Sequence, residues 1–163
     1  MRVERAQSGD AAAVCALVDE AADWLSRRGI RQWTPGSFPE AAVAPGIARG
    51  EVYVVRAGAG LGAALTLVDD DPEVWGPGDG SALVLHKLTV ARASAGSGLG
   101  VRLLAWACEE AMTRGRRSLR LDCVASNTFL RRYYAAAGFE ERGDVDLSRV
   151  RLTRFERRLP PRP

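Results

Sequence analysis

Residues 83–113 constrain this chain more than any other stretch. The run Leu83-Val84-Leu85-His86-Lys87-Leu88-Thr89-Val90 is short, apolar and rich in β-branched residues, the pattern of a buried strand. Ala93-Ser94-Ala95-Gly96-Ser97-Gly98-Leu99-Gly100 follows, and then Val101, Leu104, Ala105, Cys108, Ala111 and Met112 recur at helical spacing. Leu103 and Trp106 lie off that stripe, which predicts a helix buried on more than one side. A strand, three glycines at alternate positions and a helix start make a definite physical object. Glycine admits positive φ and puts no Cβ between backbone and ligand. The N–H groups of the first helical turn lack intrahelical partners and sit at the positive end of the helix dipole. Phosphate oxygens suit such a place.

Two familiar phosphate loops fit poorly. A Walker loop needs G-x-x-x-x-G-K-[ST], and no Lys or Thr follows Gly100 as required. A dinucleotide fold wants G-x-G-x-x-G, usually in its first strand–helix unit, whereas this chain has G-x-G-x-G past its middle. The segment instead resembles the Q/R-x-x-G-x-G/A signature of the GNAT superfamily of N-acetyltransferases, with Ala95, Gly98 and Gly100 on the motif positions. Ala95 departs from the Gln or Arg usual there, which removes one side-chain contact and leaves the backbone donors intact. A second segment, Asn127 with Tyr133-Tyr134-Ala135-Ala136-Ala137-Gly138-Phe139, resembles the family's N-x-x-x-x-x-[FY]-Y-x-x-x-G-F. The specific motifs are confined to residues 83–139, and the looser resemblance runs across most of the chain.

The resemblance implies acetyl-CoA (coenzyme A) as cofactor and acetyl transfer to an amine. It implies that Leu88, Val90, Ala95, Gly96, Ser97, Gly98, Leu99, Gly100, Val101, Asn127 and Tyr134 bind the cofactor, and that Tyr134 is the general acid. Tyrosine suits that task, since a pKa of about 10 keeps it protonated at neutral pH, ready to protonate a thiolate. The other reading of Tyr134 is a core aromatic on an apolar helix stripe. His86 is the only histidine. Most alkylamines are cationic at neutral pH and must lose a proton before attack, and imidazole is poised to take it. Its position resembles that of a strand histidine in arylalkylamine N-acetyltransferases, so His86 is the second candidate catalytic residue; deprotonation through water is the alternative. Trp24, Gln32, Trp33 and Trp75, with Phe38, fall in regions that flank the acceptor mouth in this family, and they also read as ordinary core.

Two further groups are weighed and set lower. Cys123 could accept an acyl group, but it has no basic neighbour in sequence and lies on an apolar strand face, so burial is expected. Asp69, Asp70 and Asp71 could attract a cationic amine or a metal; among glycines and prolines they read as a solvated loop. No metal is expected, since the three cysteines are scattered and no C-x-x-C is present. The Arg116-Arg117 and Arg131-Arg132 pairs lack interleaved aromatics, and they read as solvated faces or contacts to the CoA 3′-phosphate rather than as a nucleic-acid site.

At 163 residues with 47% hydrophobic and 26% charged residues, the chain is of single-domain size. A net charge of +3 permits an acidic ligand without demanding nucleic acid. No run approaches the roughly 18 apolar residues of a membrane span, and no signal-peptide pattern opens the chain. A cytoplasmic protein is expected, possible homodimerisation included. Lys87 is the only lysine against a background of arginine, a compositional sign of a GC-rich, bacterial genome.

In chain order the patterns predict a strand over 2–6 and a helix capped by Ser8 or Asp10 and ended by Gly29. A second helix over 38–49 is expected to be broken at Pro45-Gly46, and a hairpin follows over 51–56 and 61–68. After a loop over 69–80 and the central strand–glycine–helix unit come a strand over 118–124 and a helix capped by Asn127 and ended by Gly138. Strands over 139–145 and 150–158 close the chain, with a tail over 160–163. This order predicts an α/β (α+β mixed sheet) architecture of six or seven strands flanked by helices, as the GNAT-like acyl-CoA N-acyltransferase fold implies. One N-acetyltransferase domain over 1–163, acting on a small-molecule amine, is the reading; a non-catalytic acyl-CoA-binding or sensor module and a protein or peptide N-terminal acetyltransferase are its rivals.

Overall fold

The computed structural model describes residues 1–161; residues 162–163 of the expected tail lie outside them. Among the described residues, seven strands form one mixed sheet in the order β1-β2-β3-β4-β5-β7-β6, with five α-helices. The strands are β1 (Glu4–Arg5), β2 (Val52–Ala57), β3 (Gly60–Val68), β4 (Ala82–Val90), β5 (Ser118–Val124), β6 (Glu140–Asp146) and β7 (Arg151–Arg158). The helices are α1 (Ala11–Ser26), α2 (Glu40–Ala48), α3 (Pro72–Trp75), α4 (Leu99–Thr113) and α5 (Thr128–Ala136). Packing divides the chain into two compact units, one of Met1–Leu67 with Lys87–Gly100, the other of Val68–His86 with the chain from Val101 onward.

In the first unit, α1 and α2 cover the β2–β3 hairpin. Val14, Leu17, Val43, Ile47, Val52 and Val54 are all buried in one cluster, each side chain removed from water contributing roughly 1.5–3 kcal/mol. Asp10 caps backward rather than forward. Its carboxylate accepts the Gln7 N–H at 2.7 Å and a bidentate pair from Arg56 at 3.0 Å, so it is held by the turn before α1 and by β2. Gly29 ends the α1 region with φ +71°, as its position predicts. The expected break at Pro45 does not occur: α2 is continuous through it. Pro45, the sixth of the nine residues of α2, carries no N–H, so one intrahelical hydrogen bond is lost.

In the second unit, β5 is an interior strand between β4 and β7. Leu119, Leu121 and Cys123 alternate onto one face and are at most 1% exposed. Its antiparallel ladder with β7 runs unbroken from Ser118↔Arg158 to Val124↔Leu152. The α4 stripe differs from expectation by about one residue. Leu103, Leu104, Ala107, Cys108 and Ala111 are buried, while Val101 is 51% exposed and Ala105 faces solvent. Arg102 and Glu109 are also exposed, so the helix is buried on one side only. Two apolar stripes about 100° apart compete on such a helix, and the one carrying both leucines wins. The 69–80 loop is not uniformly solvated either: Asp71 caps α3, with Pro72 at its first position.

Candidate active site

The parallel ladder between β4 and β5 is short. It pairs Ala82↔Ser118, Leu83↔Leu119 and Val84↔Arg120. Both strands continue, and two residues farther along stand His86 on β4 and Asp122 on β5. Side chains on one strand face recur every second residue, so His86 shares the face of Val84 and Asp122 that of Arg120. The residue after His86, Lys87, has φ +53°, the only positive φ at a non-glycine position among the described residues. A left-handed residue inside a strand disturbs the two-residue repeat, and it costs roughly 1–2 kcal/mol that surrounding packing must supply. Thr89 Oγ1 donates to the Lys87 carbonyl at 3.0 Å, fixing the reversed peptide.

His86 is held between two carboxylates. Nε2 lies 3.2 Å from Asp71 Oδ2, and Nδ1 lies 3.9 Å from Asp122 Oδ2. Asp71 is itself oriented, since its Oδ1 accepts the Val74 N–H at 3.3 Å as the cap of α3. The hydrogen bond from His86 holds the Asp71 carboxyl below its ordinary range, against the opposing effect of burial. An ionised Asp71 at Nε2 favours the tautomer with the proton on Nε2, which leaves the lone pair on Nδ1. The imidazole side chain is one-quarter exposed. The three side chains also offer one ligand atom each within 4.8 Å of one another. Only the Nε2–Asp71 contact is within hydrogen-bonding distance; at 3.9 Å the Asp122 carboxylate lies near Nδ1 without bonding it.

The cap predicted at Asn127 is present. Its side chain accepts the Leu130 N–H at 3.1 Å, and the buried Asn127 starts α5. Tyr134 is 7% exposed, its ring edge-on to Tyr133 and Phe139 and tilted against Phe155 at 5.6 Å. Burial raises its pKa well above the ordinary tyrosine value, so the phenol stays protonated. Core aromatic and proton donor are therefore compatible descriptions of this residue. Cys123 is fully buried, and burial pushes its thiol up to about 12, which leaves no thiolate for nucleophilic work.

The glycine turn lies in the first unit. A 3₁₀ turn over Arg92–Ser94 leads to Gly96 and Gly98 with φ +78° and +74°, and α4 begins at Leu99. Gly100 sits within the helix, so only two of the three glycines use their conformational freedom. Ala95, Gly96, Ser97 and Gly98 are exposed, Leu99 is buried, and Ser97 Oγ donates to the Ser94 carbonyl at 2.6 Å. Open space where a Gly96 Cβ would stand, together with the first-turn amides of Leu99 and Gly100, fits an anionic group such as a pyrophosphate. Leu88 and Val90 are half-buried near the end of β4.

The tryptophans do not form bare apolar walls. Arg28 and Arg92 guanidinium carbons lie 4.0 and 3.9 Å from the Trp24 ring. Trp33 meets Phe38 edge-on at 6.3 Å, with Lys87 Nζ 5.1 Å from the Phe38 ring, and Gln32 is half-buried nearby in sequence. In the second unit, Trp75 carries Arg120 at 4.7 Å and Arg154 at 5.6 Å, and its buried indole N–H has no hydrogen-bond partner among the described residues. One arginine of each pair is engaged as well: Arg116 bonds Asp69 and the Gly80 carbonyl, and Arg131 bonds Glu141. Sequence reasoning left Asp71 in a loop and did not single out Asp122. The Asp71-Pro72 cap signature was readable, and so was the placement of Asp122 opposite the Leu121–Cys123 face. Their meeting at His86 was not.

Comparison with known proteins agrees with this architecture. The model of the acetyltransferase (GNAT) family matches residues 18–139. A relative from Bacillus subtilis (strain 168), the uncharacterized N-acetyltransferase YesJ, is 33% identical over 157 residues, covering 92% of this chain and 86% of its own. A GNAT-family acetyltransferase of Listeria monocytogenes superposes with a TM-score of 0.77 at 25% identity, over 97% of this chain and 94% of that one. Another from Streptococcus agalactiae gives 0.81 at 20% identity, over 98% and 95%. The structure of yncA from Salmonella typhimurium, which contains its cofactor acetyl-CoA, gives 0.73 at 19% identity, over 100% and 96%. No helix of the described residues is long and apolar enough to cross a membrane. With the family model covering most of its length and a curated N-acetyltransferase relative along nearly all of it, this chain belongs to the GNAT family of acetyl-CoA-dependent acetyltransferases.

Proposed function

We propose that this enzyme is one catalytic domain that transfers an acetyl group to the primary amine of a small molecule by direct attack, with His86 as general base and Tyr134 as general acid. The observation that carries the reading is the half-buried His86 imidazole, oriented by Asp71 just past the point where the β4–β5 ladder ends. Acetyl-CoA supplies a thioester whose acyl carbon accepts the amine nitrogen while the carbon–sulfur bond breaks. His86 Nδ1 takes one proton from the incoming ammonium, making the amine nucleophilic. Tyr134 gives its phenolic proton to the departing sulfur, and the second proton shed by the amine restores it. Products are the amide, CoA thiol and one proton released through His86.

In this proposal the amides of residues 96–101 hold the pyrophosphate, Leu88 and Val90 line the acyl arm, Asn127 contacts the pantetheine, and Trp24, Gln32, Trp33 and Trp75 contact the acceptor. A cytoplasmic location and a homodimer belong to the same proposal, and light scattering tests the second. The decisive experiment is thiol release from acetyl-CoA over an amine panel. His86→Ala and Tyr134→Phe are each expected to lower turnover about 10²-fold or more while calorimetric binding of acetyl-CoA is kept. Undiminished turnover in either variant removes that residue from the mechanism.

A further inference from the structure

The start of β5 carries a feature that acetyl transfer does not use. Across the β5–β7 ladder, Ser118 pairs with Arg158 and Arg120 with Glu156. Opposite residues of an antiparallel pair point to one face, and residues two apart share it. These four side chains therefore stand together on the face away from Leu119 and Leu121. With Arg117 they line a cavity of about 580 Å³, a volume within the range of small-molecule sites. We propose that this cavity is a second ligand site, built for a phosphorylated small molecule with two or more negative charges and separate from the acetyl-CoA site.

The charges around the cavity decide the ligand class. Glu156 is the carboxylate of the lining, and it is already neutralised. Arg120 Nε donates to it at 2.8 Å, Arg142 Nε at 3.1 Å and the Ser118 hydroxyl at 2.9 Å. Arg117 and Arg158 are the uncompensated cations. The Arg117 side chain is 80% exposed, and the carboxylate it faces, Asp79, stands 3.9 Å away. Asp79 is drawn back by accepting the Ser81 N–H at 2.9 Å. Arg158 is exposed and makes no ion pair among the described residues. Guanidinium groups meet phosphate through paired N–H donors, and two of them on one cavity wall match a dianion. Leu159 and Pro161 add an apolar edge, and the Leu159 N–H donates to the Arg117 carbonyl at 2.9 Å, which fixes that edge beside the cations. An organic phosphate uses both kinds of surface, whereas a monovalent inorganic ion uses neither fully. Ser118 lies four residues before Asp122 on β5, about 13 Å at the rise of a strand. A ligand held here does not meet the reacting groups, so it is an effector and not the acceptor.

The test titrates the full chain, saturated with acetyl-CoA so that the cofactor site is filled, with inorganic pyrophosphate and with phenyl phosphate in a calorimeter. Each is expected to bind at a single site, more weakly as salt is raised. Arg117→Gln combined with Arg158→Gln should weaken both by about tenfold or more. Arg2→Gln combined with Arg149→Gln removes the same charge from exposed positions elsewhere and should leave binding unchanged. Thermal melts check that both double variants are folded, and acetyl-CoA binding is expected to survive in each. Absence of binding to the acetyl-CoA-saturated chain overturns the proposal, because any phosphate bound by the free chain then belongs to the cofactor site. Equal losses in the two double variants also overturn it, since the attraction is then the diffuse charge of the surface and not this cavity.

Discussion

Along β5, the antiparallel ladder to β7 keeps register for the whole strand, whereas the parallel ladder to β4 stops at Val84↔Arg120. The two sides of one strand have opposite fates. On the closed side, Phe155 and Thr153 are fully buried beside Leu119, Leu121 and Cys123, with every residue of β5 in register with a β7 partner. On the opening side stand His86 and Asp122, half-buried and ionisable. The left-handed Lys87 follows at once. A continued ladder would satisfy the backbone groups of both strands with each other. Ending it leaves His86 and Asp122 close together beyond the last paired residues. The buried ladder and the ionisable pair are thereby separated by the width of one strand.

Breaking the closed side should have the largest effect. Phe155→Ala empties a fully buried site and is expected to cost about 3–5 kcal/mol, measurable as a shift in denaturant midpoint. Glu156→Gln should come next, at roughly 1–2 kcal/mol near neutral pH, since Glu156 receives Arg120, Ser118 and Arg142 on β7. Burial alone would raise the Glu156 carboxyl, but those hydrogen bonds outweigh it and hold the group below its ordinary range. The folded chain therefore binds this proton less readily than the unfolded chain. The stability gained is present above the ordinary glutamate value, about 4.3, and is lost as pH falls through the lower folded value. The gap between wild type and Glu156→Gln should accordingly narrow in melts taken near pH 3.

The opening side should be cheaper to alter in stability. Lys87→Val places a β-branched residue at φ +53° and should cost about 1–2 kcal/mol more than Lys87→Gly, which keeps the conformation without steric conflict. A Lys87→Val variant as stable as Lys87→Gly would show that the reversed residue bears no strain. The smallest expected effect concerns the thiols. Cys15, Cys108 and Cys123 are all buried and burial raises each of them, so a thiol-labelling reagent at pH 8 should leave the native protein unmodified. Rapid labelling of Cys123 with loss of turnover would reopen an acyl-cysteine route.

Local chemistry by itself determined a good deal of this protein. The alternation in residues 118–124 defines β5, Asn127 caps its helix, Gly138 ends the segment with φ +83°, and the spacing of Gly96 and Gly98 sets the turn before α4. Such signals act within a turn or a strand's length, so neighbours in sequence are enough to specify them. The buried face of α4 was underdetermined because two apolar stripes met the helical period, and packing chose between them. The grouping of Asp71, His86 and Asp122 was decided by tertiary structure alone. Those residues lie on a helix cap and two strands far apart in the chain, and only the pairing of β4 with β5, its early end, and the docking of α3 bring their side chains to one imidazole.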